Sequence, residues 1–186
     1  MNAFTPTTVF PAPLRPGDLI RFVSPASTPA RDDVEASADL LRSMGNAVDF
    51  GPNAFNKLNY LAGTDDERLA DLNDALRDPK VRAIFATKGG KGSYRIAERL
   101  DFDAARRDPK FLVGFSDITA LHLVLLRHGA GGGVHGALRH DARDTSDGPN
   151  GPSLQGSSPA LTPSVSPPSR ASQPSRSAMA GPPKAG

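Results

Sequence analysis

Phe111-Leu112-Val113-Gly114-Phe115 is an apolar run of strand length, and the residues after it already read as helix. Ile118, Leu121, Val124 and Leu125 recur at helical spacing, and the pattern stops at His128-Gly129. Only Ser116-Asp117 lies between the two patterns, so a buried strand must turn into a helix with no loop. A serine on such a corner projects its hydroxyl past the strand end, in front of the free backbone N–H groups of a helix N-terminus. An activated nucleophile with an oxyanion site needs that placement. Serine is also a preferred N-cap residue, and the segment alone fits either role.

A second strand-like run, Val81-Arg82-Ala83-Ile84-Phe85-Ala86, leads into Thr87-Lys88-Gly89-Gly90-Lys91-Gly92-Ser93-Tyr94-Arg95. Glycines allow close approach of backbone to ligand and can turn N–H groups inward. The phosphate-loop pattern fails here, because Gly92 follows Lys91 where Ser or Thr belongs. The dinucleotide fingerprint fails as well, since Gly90-Lys91-Gly92 leads to Arg95 in place of the third glycine. Nucleotide binding is thus unsupported, and a tight connection that binds nothing is the plain alternative.

The rest of the pattern alternates in the same way. Ser27 or Thr28 is expected to cap a helix with Pro29 in its first turn. Val34, Ala38, Leu41 and Met44 then line one face, and Gly45 ends it. Thr64-Asp65-Asp66-Glu67 reads as a capping box opening a helix whose buried stripe is Leu69, Leu72 and Leu76. Arg77-Asp78-Pro79-Lys80 precedes one strand, and Arg107-Asp108-Pro109-Lys110 precedes the serine strand. Proline cannot continue a helix, so both copies act as helix stops in consecutive units. The expected fold is α/β, a mainly parallel sheet with helices on both faces. Ligands of such sheets bind beyond the carboxyl ends of the strands, where Gly90 and Ser116 both fall.

Composition divides the 186 residues. Met1 to Pro13 reads as a flexible arm without signal-peptide pattern, and no segment is long and apolar enough to span a bilayer. From Asp141 onward no aromatic residue occurs, Leu154, Leu161 and Val165 are the large aliphatics, and Pro, Ser and Gly fill more than half of the positions. Such a segment cannot offset its ordering entropy by burial, so residues 137–186 are expected to be a disordered tail. An out-of-frame reading of GC-rich DNA gives this composition; a proline-rich ligand for a partner domain is the other reading. A net charge of +2 with interspersed signs argues against a nucleic-acid partner. With no cysteine there is no disulfide or thiol chemistry, which suits a reducing cytosol.

The motifs together resemble the serine LD-carboxypeptidase family, which includes murein tetrapeptide carboxypeptidases and microcin C immunity peptidases. Gly114, Ser116, Asp117, Ile118 and Thr119 match its nucleophile motif. Gly89, Gly90, Gly92 and Arg95 match its glycine loop, with Lys88 in place of the first arginine. The segments 60–68, 17–20 and 23–27 are similar too, so the resemblance runs over 14–136, the family's N-terminal α/β domain. It implies a cytoplasmic serine carboxypeptidase of peptidoglycan recycling, acting on a murein-type L,D-peptide. It implies no metal or organic cofactor, no membrane partner, and room for a homodimer in a complete enzyme. Ser116 would be the nucleophile, the backbone N–H groups of Asp117 and Gly90 the oxyanion hole, and Arg95 a partner for a substrate carboxylate. Asp117's own side chain is expected to bond the glycine loop.

The family's catalytic Glu and His come from a C-terminal domain, and the chain as written is expected to be truncated or frameshifted and inactive. Glu98 is its last glutamate. His122 faces away from Ser116 at helical spacing, His128 suits a helix C-terminus, and His140 lies at the edge of the tail. His135, after the expected flexible turn Gly131-Gly132-Gly133, is the remaining candidate base. A microcin-immunity-type peptidase and a non-catalytic α/β remnant or binding module are the alternatives.

Overall fold

The computed structural model describes residues 7–136. The expected arm falls mostly within this span; residues 1–6 and the expected tail lie outside the described residues. Five strands form one all-parallel sheet: β1 (Leu19–Val23), β2 (Ala47–Phe50), β3 (Val81–Ala86), β4 (Phe111–Gly114) and β5 (Gly133–His135). Their order is β2-β1-β3-β4-β5. The chain therefore steps outward from β1 to β2, then returns past β1 to build the other side. The crevice between β1 and β3 is the switch point, where α/β sheets bind ligands.

Helices α1 (Arg31–Ser43), α2 (Asp65–Arg77), α3 (Phe102–Arg107) and α4 (Thr119–Arg127) provide the crossovers. Strand alternation sends successive side chains to opposite faces. Ile20, Phe22, Ala83, Phe85 and Phe111 pack with Val34, Ala38 and Leu41 of α1. Val23, Ile84 and Leu112 pack on the other face with Leu69, Leu72 and Leu76 of α2, Ala104 and Ala105 of α3, and Leu121, Val124 and Leu125 of α4. Helices thus cover both faces, as the periodicity predicts.

The capping box at α2 is complete. Thr64 N–H donates to Glu67 Oε2 at 2.7 Å, and Glu67 N–H donates back to Thr64 Oγ1 at 3.2 Å. The Thr64 backbone bond, with the Thr64 hydroxyl, holds the Glu67 carboxyl below the usual carboxylate range. Both Asp-Pro copies do stop helices, with Asp78 and Asp108 as the C-caps of α2 and α3.

Three local expectations change. α1 begins at Arg31 with Ala30 as a cap that makes no side-chain bond, not at Ser27 or Thr28. The Thr28 hydroxyl is taken by tertiary partners, donating to the carbonyls of Leu61 at 2.7 Å and Asn56 at 3.2 Å. Met44 caps the C-terminus of α1 and stays half exposed. The triglycine run is not a free turn: Gly133 opens β5, and a Cβ there would meet the His122 side chain at 2.9 Å.

Candidate active site

The corner after β4 is as tight as the sequence requires. Phe115 is extended, Ser116 takes φ 56°, and a single 3₁₀ turn over Ser116–Ile118 runs directly into α4. A left-handed serine is strained by Cβ contact with its own backbone. Ser116 is exposed, and among the described residues no hydrogen bond engages its hydroxyl. It therefore does not serve as a side-chain N-cap, which removes the plain reading of this serine.

The glycine loop after β3 lies against that corner. A Cβ on Gly89 would come within 2.8 Å of the Phe115 carbonyl and 3.0 Å of Ser116 Cβ. Gly90, at φ 115°, is pressed on its other side by the Ser27 hydroxyl, leaving no space for a side chain. Ser27 N–H donates to the Gly89 carbonyl at 3.3 Å, tying the end of β1 to the loop. Gly89 thus meets Ser116, and Gly90 meets Ser27, at the carboxyl edge of the sheet beyond β1, β3 and β4.

Asp117 binds the loop that holds Gly90. Its Oδ2 accepts the Ser93 N–H at 2.8 Å, and its carbonyl accepts the Ser93 hydroxyl at 2.7 Å. Arg95 lies beyond, with Nε and Nη2 both 2.9 Å from Asp65 Oδ2. About half of its side chain (47 %) stays open to solvent, so a second anion has access to it. Arg95 also lines a cavity of about 440 Å³ with Leu58, Asn59, Tyr60, Leu61, Thr64, Asp65 and Asp66. Neither Ser116 nor Gly90 lines that cavity, and Arg95 ends the short turn whose first residue, Ser93, bonds Asp117.

The imidazoles are dispersed. His135 sits at the top of β5 in register with Gly114, just before the serine corner, but is exposed and without a bond to Ser116. His122 packs beneath Gly133; burial pushes its pKa below the usual histidine value, opposed by the Leu112 backbone and aided by nearby His135. His128 stacks on Phe102 at 3.7 Å. Among the described residues no cluster of His, Asp or Glu is suited to a metal ion, and no helix is long and apolar enough to cross a membrane.

Sequence reasoning missed Ser27, Ser93 and Arg68. Arg68 is a fully buried guanidinium on α2. Its signal was its place: it follows the capping box and immediately precedes Leu69 of the apolar stripe.

Residues 20–136 match the model of the LD-carboxypeptidase N-terminal domain. The chain is 41 % identical over 115 residues to the "Probable murein peptide carboxypeptidase" of Bacillus subtilis, covering 62 % of this chain and 36 % of that protein. It is 34 % identical over 120 residues to the murein tetrapeptide carboxypeptidase of Pseudomonas aeruginosa, covering 64 % and 39 %. The solved MccF-like protein of Bacillus anthracis superposes with a TM-score of 0.62 at 33 % identity, covering 66 % of this chain and 39 % of that one. The chain thus spans about two-fifths of the length of these relatives or less. The match, which takes in the β-sheet, the glycine loop and the Ser116 corner, shows that this chain belongs to the LD-carboxypeptidase family.

Proposed function

We propose that this chain carries the nucleophile of a serine-type LD-carboxypeptidase, acting on a murein-type L,D-peptide in cytoplasmic peptidoglycan recycling. One observation carries the reading: an exposed serine at φ 56°, with its hydroxyl unbonded among the described residues, set against Gly89 of the glycine loop. In the proposed reaction Ser116 Oγ attacks the scissile carbonyl as its proton passes to a base. The carbonyl oxygen becomes an oxyanion held by the N–H groups of Asp117 and Gly90. Its collapse expels the terminal D-amino acid as the amine takes up a proton, and water then releases the acyl group from Ser116. Arg95 is the proposed partner of a substrate carboxylate through bidentate hydrogen bonds. No cofactor enters this scheme, and a homodimer suits it.

The base is the remaining requirement, because a serine hydroxyl is a weak nucleophile until an oriented imidazole takes its proton. No imidazole touches Ser116 among the described residues, and no glutamate follows Glu98 in the sequence. The polypeptide of these 186 residues is therefore proposed to turn over poorly by itself. The experiment compares that polypeptide with a joined enzyme in which residues 14–136 precede the C-terminal part of the P. aeruginosa relative. The joined enzyme is expected to release D-alanine from an L,D-tetrapeptide at about 1 s⁻¹ or more, and to lose this with Ser116→Ala. The unjoined polypeptide is expected to show no Ser116-dependent release. A folded joined enzyme indifferent to Ser116→Ala would sink the reading; turnover by the unjoined chain would make His135 the base.

The likeness to an MccF-like structure favours a second reading, a microcin-immunity-type peptidase. A peptidyl-nucleotide offered beside the tetrapeptide decides between them by which is cleaved faster. Cleavage of neither would favour the non-catalytic binding module.

A further inference from the structure

One peptide unit of the glycine loop is gripped from both sides. The Gly92 carbonyl accepts from Arg68 Nη1 at 3.0 Å, and the N–H of the same peptide, on Ser93, donates to Asp117 Oδ2 at 2.8 Å. The first partner reaches out of α2 and the second stands beside Ser116. Arg68 Nη1 also donates to the Pro25 carbonyl at 2.5 Å, just past the end of β1 and two residues before Ser27. A single guanidinium thus bridges the loop after β1 and the glycine loop after β3, which flank the switch point. Asp65 balances its charge and shares its carboxylate with Arg95.

This arrangement is expensive. The Arg68 side chain is 0 % exposed, and its Nε has no partner among the described residues. An apolar side chain of similar volume often stabilises such a position as well as a buried ion pair does, or better. What the apolar side chain cannot do is orient a carbonyl. The loop needs such orientation, since Gly92 sits at φ 114° and has no Cβ to restrict it. A Cβ on Gly92 would strike Leu61 at 2.6 Å and approach Arg68 Nη1 at 3.3 Å, so the backbone lies directly on the guanidinium.

We infer that Arg68 is a positioning residue of the Ser116 site: from within α2 it orients the Gly92–Ser93 peptide so that the Ser93 N–H reaches Asp117. It thereby sets the glycine loop against the nucleophile corner. Arg68 touches neither Ser116 nor the proposed oxyanion position and acts only through this peptide. Its functional meaning rests on the reading of Ser116 as nucleophile, while its geometry is open to test without turnover.

The test is amide hydrogen exchange and ¹H–¹⁵N shifts of the full 186-residue chain, for the unaltered protein, Arg68→Met, Arg68→Lys and a control, Leu72→Ala. Leu72 is a fully buried neighbour on α2, so its truncation loosens the fold without touching the loop. The control is expected to lower protection alike at Ser93, Ile84 and Leu112. Arg68→Met is expected to lower protection at Ser93 by about tenfold or more beyond the loss at Ile84 and Leu112, and to move the Ser93 amide shift. Lysine, with one ammonium for two carbonyls, is expected to restore part of both. If Arg68→Met does not fold, the same Ser93-to-core ratio in Arg68→Lys decides. A ratio equal to that of Leu72→Ala in the folded variants overturns the inference and leaves Arg68 a packing residue. Indifference of the joined enzyme to Ser116→Ala would instead sink the nucleophile reading and leave the Ser93 result intact.

Discussion

The two ends of the sheet are built on opposite principles. At the amino end, where α2 and α3 hand over to β3 and β4, charge is matched. Asp78 accepts the Lys80 N–H at 2.9 Å and meets Arg21 at 3.1 Å, while Arg21 also binds Asp49. The Lys80 backbone bond, with Arg21, holds the Asp78 carboxyl below the usual range. Asp108 binds Arg82 at 2.8 Å and Lys110 at 2.6 Å. Burial pushes the Asp108 carboxyl up, and the bonds from Lys110 and Arg82 outweigh it. At the carboxyl end a serine is held at φ 56° with no partner for its hydroxyl among the described residues, and Gly90 and Gly92 are in conformations that L side chains rarely adopt. Strain of this kind persists only where the surrounding structure over-determines it, and the amino-end ion pairs and two-faced core supply that support. Matched charge and local backbone strain are thus separated along the strands.

The sharpest break of this contrast lies at the amino end. Asp108→Ala leaves the Lys110 ammonium, whose side chain is 0 % exposed, without its carboxylate. About 3 kcal/mol of stability is expected to be lost, the lower end for a broken buried pair because Asp108 itself is partly open to water. Asp78→Ala, where Arg21 keeps Asp49, is expected to cost about 1 kcal/mol. Equal shifts of the urea midpoint would mean that the two Asp-Pro copies are energetically alike. At the carboxyl end, Gly90→Ala forces a Cβ into a left-handed backbone and against the Ser27 hydroxyl; a loss of about 2 kcal/mol is expected by the same measurement.

Ser116→Gly runs the other way. It relieves the left-handed strain, so a gain of about 1 kcal/mol is expected, reduced by the extra freedom of glycine in the unfolded chain. A loss of stability there would show that the serine side chain supports the fold, and the division between the two ends would fail. The smallest effect is expected from His122. Its pKa is lowered on folding, so between the folded value and the ordinary value of about 6.5 the unfolded chain binds more protons. Stability is full above that ordinary value and declines as pH falls through the folded one. Urea midpoints at pH 7.5 and 5.5 should therefore differ in that direction, by less than the Ser116→Gly shift, and His122→Gln should flatten the difference.

Features whose causes lie within a few residues were legible in the sequence. The Thr64–Glu67 box, the two Asp-Pro stops and the loopless passage from Phe115 to Ile118 follow from side chains and backbone that are neighbours in the chain. The meeting of the glycine loop with the Ser116 corner, through Gly89, was legible at one remove, because a parallel sheet brings successive strand ends to a common edge. Where α1 starts was not legible. Thr28 is a good cap by type, but its hydroxyl is drawn to the carbonyls of Asn56 and Leu61 instead.

By itself, then, the sequence determined the alternation of strands and helices, their caps and stops, and the corner that exposes a serine. Only the tertiary structure decided that Ser27 closes over Gly90, that Arg68 and Arg95 share the Asp65 carboxylate, and that Arg68 lies buried between two loops. The physical reason is that hydrogen-bond capacity is local to a residue while its partners are not. A hydroxyl or guanidinium carries its donors wherever it stands, and the sheet order selects the carbonyls it meets.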